Sequence, residues 1–459
     1  MRVDLKWLGS LLGAILLSAV LLVLCMPLGE QGYLGWIAFV PLIRVTRGRG
    51  FLPALLGTLG VIFAGAFLSI TGWLYHDRDP LGSASWVYTG FGIFGFSACL
   101  AIGAWGDRSS ARLPVWWFAG FAALCESLLL TKLPAHLALS QYRNVVVLQL
   151  AAVGGIWLVS FLIWSGNFYL ATLPLKRLGL IVAVLLPVSF LTSLIRVRLS
   201  GPTADIAVIQ IGDPDEKSVT RMQRQVSLLH PAFTIWPEFA GIPFTFAGDP
   251  VRLRHLSVEP GSSPIITSYQ DDFQPLPHNA SALFTEGATS EIYWKRRLFG
   301  EESKMHTPGS RAVSAPFARG RVGLNICFDS CYPEIIRDTA SIPGTNLISL
   351  PSIDPDASNH FIAAMHASYS PFRCAEEGVA MVKSDGLAYS SFVDSFGQTL
   401  KELPPGEQVS VQSMPLQTHW TPYRQFGDWF LWLLGGLEVW AIVRAVRSRE
   451  PASQVNASP

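Results

Sequence analysis

The sequence predicts an α-helical membrane bundle of eight spans that carries a layered α/β domain with a mixed sheet. Three observations lead there. The 459-residue chain is 50% hydrophobic and only 15% charged, with a mean hydropathy of +0.35, too apolar for an ordinary soluble protein. Residues 1–196 consist mostly of apolar runs, and one more run stands near the C-terminus. Between them, residues 197–424 alternate strand-like and helix-like segments. The net charge of +1 offers nothing to attract a nucleic acid.

The apolar runs fall at about 8–27, 32–44, 51–75, 84–106, 113–131, 145–171 and 178–196, with an eighth at 426–446. All but the second approach the ~20 residues that cross ~30 Å of hydrocarbon. The second, GYLGWIAFVPLI, is short and carries Gly and Pro, so a tilted or a broken helix is expected. The first has a basic start like a signal peptide, but no small-residue cleavage site follows and further spans do. Leu24 before Cys25 is too large for a lipoprotein signal. The predicted layout is seven spans in 1–196, an extramembrane domain in 197–424, a last span in 425–447 and a disordered tail in 448–459.

Lys and Arg orient the bundle. Arg2 and Lys6, then Arg44, Arg47 and Arg49, then Arg108 and Arg112, then Lys176 and Arg177, then Arg444, Arg447 and Arg449 all fall on one side of an eight-span chain. That side is expected to be the cytoplasm, which puts 197–424 in the periplasm of a bacterial inner membrane. Lys132, Arg143, Arg196 and Arg198 oppose this, but they are fewer and scattered.

In the outward segment, strands are expected at 206–211, 233–236, 263–268, 281–284, 292–295, 322–327, 346–350, 379–384 and 390–394. Helices are expected at 217–229, from about 333, and as one long element over 361–377. Six cysteines show no CxxC pair and no Cys/His cluster with zinc spacing. Cys25, Cys99 and Cys125 lie in apolar segments. His360 and His366, six apart, suit no metal-binding helix face and read as ordinary histidines.

The stretch GLNICFDSCYPE, 323–334, runs from a buried strand into a polar turn that starts a helix. A thiol at such a junction, Cys327, is expected to be exposed, close to backbone N–H groups able to hold an oxyanion, and shifted toward thiolate by helix ends and a cation. Glu238 follows Trp-Pro at the end of the 233–236 strand, and Lys295 ends the 292–295 strand. A carboxylate, an ammonium and a thiol at three strand ends can make one site. The carboxylate takes the thiol proton, the lysine stabilises charge, and the thiol forms a thioester that divides one hard acyl transfer into two steps. Taken singly, each residue reads equally well as a surface ion or a core thiol.

Together WPEFAGIPF, YWKRRLFGE and NICFDSCYPE resemble the Glu, Lys and Cys motifs of the nitrilase superfamily. With seven spans before and one after, nearly the whole chain resembles the bacterial apolipoprotein N-acyltransferases, the membrane-bound branch of that superfamily. GWIAFVPLI and QLAAVGGIWLVSFLIWSGN are similar to that family's membrane segments. The resemblance implies an αββα nitrilase-like sandwich on an eight-helix base. It also implies transfer of a fatty acyl group from a phospholipid donor to the N-terminal amine of a diacylglyceryl-cysteine lipoprotein. It implies Glu238 as general base, Lys295 as oxyanion stabiliser and Cys327 as nucleophile, with Glu301 in a supporting role and Arg373 and Glu376 as a structural element behind the site. The backbone N–H of Phe328 would join the oxyanion hole, and the apolar loop 239–246 would lie among lipid headgroups. No cofactor or metal is expected, and the chain is expected to work as a monomer.

The match departs from the family in places. Phe328-Asp329 stands where the family has Tyr-Glu, the segment from Lys295 to Glu301 is about two residues short, and SIDPDASNHF replaces an Asn-Asp-x-Trp-Phe loop. Cys331 lies one turn beyond Cys327. Two other functions remain open to the sequence: the same triad acting on a different membrane-associated substrate, and a non-catalytic membrane scaffold.

Overall fold

The computed structural model describes residues 5–73, 95–107, 113–128, 136–212, 216–239, 262–271, 275–286, 288–354, 360–386 and 388–448. Five helices among them are long and apolar enough to cross a membrane: Leu5–Cys25, Phe51–Thr71, Val145–Thr172, Leu175–Ser193 and Trp429–Arg447. Gly32–Thr46, Gly95–Gly106 and Val115–Leu128 are apolar but shorter. Five of the eight expected spans are thus seen as full-length helices among the described residues. The fourth and fifth runs extend into positions outside them, as do Arg108, Arg112, Lys132, the loop beyond Phe239 and the tail beyond 448. Leu180, Val184, Val188 and Leu191 of the seventh run are exposed, as side chains facing hydrocarbon are.

The second run is broken, and its sequence explains why. A 3-10 turn, Gly32–Trp36, precedes a short α-helix, Val40–Thr46, which has Pro41 in its first turn. Backbone groups freed by the break need partners inside the bundle. Buried Asn167 supplies both: its Oδ1 accepts from Phe39 N at 2.8 Å and its Nδ2 donates to Gly35 O at 2.9 Å. A second break interrupts Val145–Thr172 at Gly154 and Gly155, where Gly155 has φ 72.

Among the described residues, the extramembrane half is built on thirteen strands: β1 Thr203–Gln210, β2 Phe233–Ile235, β3 Ile265–Asp271, β4 His278–Thr285, β5 Ala288–Thr289, β6 Tyr293–Trp294, β7 Val313–Phe317, β8 Gly320–Leu324, β9 Thr345–Ser352, β10 Ala380–Asp385, β11 Ser390–Val393, β12 Thr399–Leu403 and β13 Gln408–Pro415. One sheet has the order β13-β1-β2-β3-β4-β5 with β6 against β4, and the other β12-β11-β10-β9-β8-β7. Each has a parallel centre, β1-β2-β3 and β8-β9-β10, and antiparallel flanks. Ile206, Val208, Phe233, Ile266, Leu347 and Val382 are fully buried. Ser384 Oγ donates to Ile209 O at 2.8 Å, and Ser390 Oγ to Gln210 Oε1 at 2.6 Å, joining the two sheets. Helix Glu216–Ser227 packs on β1 and β13, while Pro333–Ala340 and Tyr369–Glu377 pack on β8 to β11. The layers are helix, sheet, sheet, helix.

Two details differ from the sequence reading. The long helix over 361–377 is two, His360–Ala367 and Tyr369–Glu377. Pro371 has no N–H for the carbonyl of Ala367 and its ring crowds that oxygen, so the helix breaks there. Strands β7, β12 and β13 were not expected. β7 carries Pro316, which an edge strand tolerates and a central one does not. β13 reaches back across the whole domain to β1, a pairing that no local pattern signals.

Candidate active site

Glu238, Lys295 and Cys327 follow β2, β6 and β8 and converge at one end of the sandwich, all buried. Lys295 Nζ is 3.0 Å from Glu238 Oε1. Asn279 Nδ2 donates to the same oxygen at 2.6 Å, and the backbone N–H of Ile353 donates to Oε2 at 3.2 Å. Burial opposes the charge on Lys295, but Glu238, Cys327 and Glu302 outweigh it and hold the ammonium well above its ordinary pKa.

The two adjacent glutamates are placed differently. Glu301 is exposed and pairs with Lys304. Glu302 instead reaches the site: its Oε2 is 2.7 Å from Lys295 Nζ and accepts from Phe299 N at 2.9 Å, and its Oε1 accepts from Asn279 at 2.8 Å. Burial pushes the Glu302 carboxyl up, and Lys295 and Asn279 more than reverse it, so its pKa is lowered.

Cys327 sits at the bend between β8 and the 3-10 turn Cys327–Cys331, with a left-handed φ of 47. Few non-glycine residues hold that conformation unless their surroundings enforce it. Asp329 does part of this. Its Oδ2 accepts from Ile326 N at 3.0 Å and from Tyr293 Oη at 2.7 Å, and its Oδ1 accepts from Arg297 N at 3.0 Å. The Cys327 turn is thereby fastened to the strand that delivers Lys295. Phe239, next to Glu238, is also left-handed at φ 55. The Phe328 ring packs edge-on against Phe299 and Tyr332, at 4.9 and 5.3 Å between centroids.

The expectation of an exposed thiol near its thiolate form is corrected. Cys327 is only 6% exposed. Burial and then the charge on Glu238 push its pKa well above the ordinary thiol value, with Lys295 opposing. The Cys327 Sγ lies 3.9 Å from Ile353 O, and Ile353 N is the donor to Glu238, so one residue touches both. Cys331 is buried and unpaired.

Arg373 and Glu376 are not gathered into this site. They pair at 3.0 Å, fully buried. Glu376 Oε1 accepts from Ile156 N at 2.7 Å, beyond the Gly154–Gly155 break, so the pair joins the sandwich to a membrane helix. Asn279, Ile353 and His366 escaped the sequence reading: a backbone N–H leaves no trace in side-chain identity, and the other two follow no motif.

The family model for the apolipoprotein N-acyltransferase N-terminal domain matches residues 18–169. The apolipoprotein N-acyltransferase of Geobacter metallireducens is 24% identical, aligned over 91% of each chain. The chain is a relative of the apolipoprotein N-acyltransferases. The enzyme of that name from Azotobacter vinelandii is 25% identical over 82% of this chain and 84% of its own. An (R)-stereoselective amidase from a Pseudomonas species is 27% identical over 33% of this chain and 57% of its own. A solved amidase from Nesterenkonia sp. superimposes with a TM-score of 0.43 at 18% identity, covering 52% of this chain and 98% of that one.

Proposed function

We propose that the protein is an apolipoprotein N-acyltransferase of the bacterial inner membrane, with its sandwich domain in the periplasm. The observation that carries the reading is a buried thiol at a left-handed bend, beside a carboxylate held by Lys295, in a chain related to those enzymes along most of its length. Glu238 takes the Cys327 proton as sulfur attacks the donor's ester carbon. The C–O bond then breaks, and the proton passes to the departing lysophospholipid oxygen. Lys295 and the Phe328 N–H hold the oxyanion. In the second half the lipoprotein amine attacks the thioester carbon, the C–S bond breaks, Glu238 accepts the amine proton, and the thiol is restored. Kinetics are ping-pong.

Eight crossings remain the proposed topology. Arg44 Nη1 donates to Leu173 O at 2.6 Å, so the basic cluster after the second run lies beside Lys176 and Arg177, as one-sided charge requires. Arg143, which opposes the rule, is paired with Glu30 at 2.6 Å and with Glu402 of β12 at 2.9 Å. The working unit is a monomer needing no cofactor.

Purified protein incubated with acyl-labelled phosphatidylethanolamine alone should gain a hydroxylamine-sensitive label on Cys327, and a diacylglyceryl-cysteine peptide should discharge it as amide. Transfer without a Cys327 adduct would replace the thioester route with direct displacement. An adduct discharged only by water or a different amine would favour the alternative, a membrane-bound amidase or acyltransferase of nitrilase type.

A further inference from the structure

A second set of charges lies behind Cys327. His366 Nδ1 is 2.6 Å from Asp354 Oδ1. Lys383 Nζ is 3.1 Å from Asp354 Oδ2 and 2.7 Å from Asp385 Oδ2. All four side chains are buried. Asp354, His366 and Asp385 bring ligand-type atoms within 4.8 Å of one another, which resembles a metal cluster, but the Lys383 ammonium already bridges both aspartates. The set is closed by its own lysine.

The far edge of the imidazole faces the nucleophile's backbone. His366 Nε2 is 3.2 Å from Cys327 O and 3.1 Å from Ser330 Oγ, and Ser330 Oγ donates to Cys327 O at 3.0 Å. Burial would raise the Asp354 carboxyl, but Lys383 and His366 outweigh it and hold it well below the usual carboxylate range. A carboxylate and a carbonyl can only accept. The Ser330 proton is already directed at Cys327 O. Each contact is satisfied when both imidazole nitrogens carry protons. The charged groups around the ring are Asp354 from the stretch after β9 and, behind it, Lys383 and Asp385 from β10.

The Cys327 carbonyl belongs to the same planar peptide as the Phe328 N–H. Fixing the oxygen fixes the direction of that N–H, and a donor on the oxygen polarises it. We propose that His366 is a positioning residue for the oxyanion hole, which aims and strengthens the Phe328 N–H by donating to the Cys327 carbonyl. The inference rests on Cys327 being the acylated nucleophile. It also accounts for how the left-handed bend is held on its buried side. Asp354 directly follows Ile353, the donor to Glu238, so one short segment fixes both base and oxyanion donor.

The test uses the full chain in detergent, acylated with phosphatidylethanolamine carrying 1-¹³C-palmitoyl chains. Two readouts are taken: the acylation rate and the infrared stretch of the ¹³C thioester carbonyl. In wild-type protein the stretch should lie below that of a free thioester in water. His366→Ala should raise it and slow acylation roughly 10²-fold at saturating lipid, with KM little changed. His366→Gln, which keeps an N–H for the Cys327 carbonyl, should recover to within about tenfold of wild type. Ser330→Ala should move the stretch the same way by less. If His366→Ala does not fold, Ser330→Ala decides. A stretch at the wild-type frequency in His366→Ala, or in Ser330→Ala where the first does not fold, overturns the inference while leaving the thioester mechanism standing. Absence of any wild-type adduct on Cys327 overturns both.

Discussion

Two buried ion pairs in this molecule look alike and do different work. Lys295–Glu238 and Arg373–Glu376 are both at 3.0 Å, and all four side chains are nearly or wholly excluded from solvent. Their neighbours separate them. The first lies beside a thiol at a strained bend, and Asn279 and Ile353 donate to its carboxylate as well. The second has the free N–H of a broken membrane helix as its neighbour. A buried pair by itself is weak evidence of either stability or chemistry; the group that each carboxylate serves assigns its role.

The comparison predicts that variants at the first pair stop chemistry and spare the fold. Cys327→Ala should abolish adduct and transfer, while Cys331→Ala should keep most of both. Glu238→Gln should slow adduct formation by roughly 10²-fold or more, with little change in Tm. It should also act in the opposite direction on simple thiol reactivity. The Glu238 charge helps push the Cys327 pKa up, so its removal lowers that pKa and enlarges the thiolate fraction at fixed pH. Iodoacetamide labelling of Cys327, followed by mass spectrometry, should therefore be faster in Glu238→Gln than in wild type. In wild type, labelling should climb about tenfold per pH unit from pH 6 to 9 without a plateau, because a thiol with a raised pKa stays protonated throughout. A plateau near pH 7 would restore the preformed thiolate.

A smaller effect separates the two adjacent glutamates. Glu302→Gln weakens the grip on Lys295 and should cost about tenfold in acylation rate, in line with a lost charge-assisted hydrogen bond. Glu301→Gln should cost nothing, since that side chain is exposed. The reverse order would return the supporting role to Glu301.

How legible was this in the sequence? The alternation of strands and helices in 197–424 indicated a layered domain with a mixed sheet, the family resemblance implied its sandwich form, and strand ends pointed to Glu238, Lys295 and Cys327, because strand periodicity and motif spacing are local. The break in the second run was readable from its Gly and Pro; its repair by Asn167, 128 residues from Phe39, was not. Burial was the largest misreading. A thiol at a bend suggests exposure, yet the turn is sealed by Asp329 on one side and by Ser330 and His366 on the other. His366 looked ordinary because its partners, Asp354 and the Cys327 carbonyl, come from different elements. Among the described residues the second run is the one whose helix is visibly interrupted, and the fourth and fifth runs extend outside them.

The second ion pair gives the smallest expected effect on rate and the sharpest test of the comparison. At Gly155, φ 72 requires glycine, and a Cβ there would collide with the Tyr423 ring. The break leaves Ile156 N without its helical acceptor, and Glu376 replaces it. Thr421 Oγ1 donates to the Glu376 carbonyl, tying the segment that leads into the last helix to the same point. Glu376→Gln keeps an oxygen for Ile156 N but takes from the buried Arg373 guanidinium the carboxylate it pairs with. Removing one partner of a buried pair costs about 3 kcal/mol or more. The variant should therefore lose thermal stability in detergent, read as a lower Tm, while the folded fraction acylates Cys327 within about threefold of wild type, as expected for a residue outside the reacting groups. A roughly 10²-fold loss of acylation with an unchanged Tm would put Arg373–Glu376 in the chemistry and end the distinction between the two pairs.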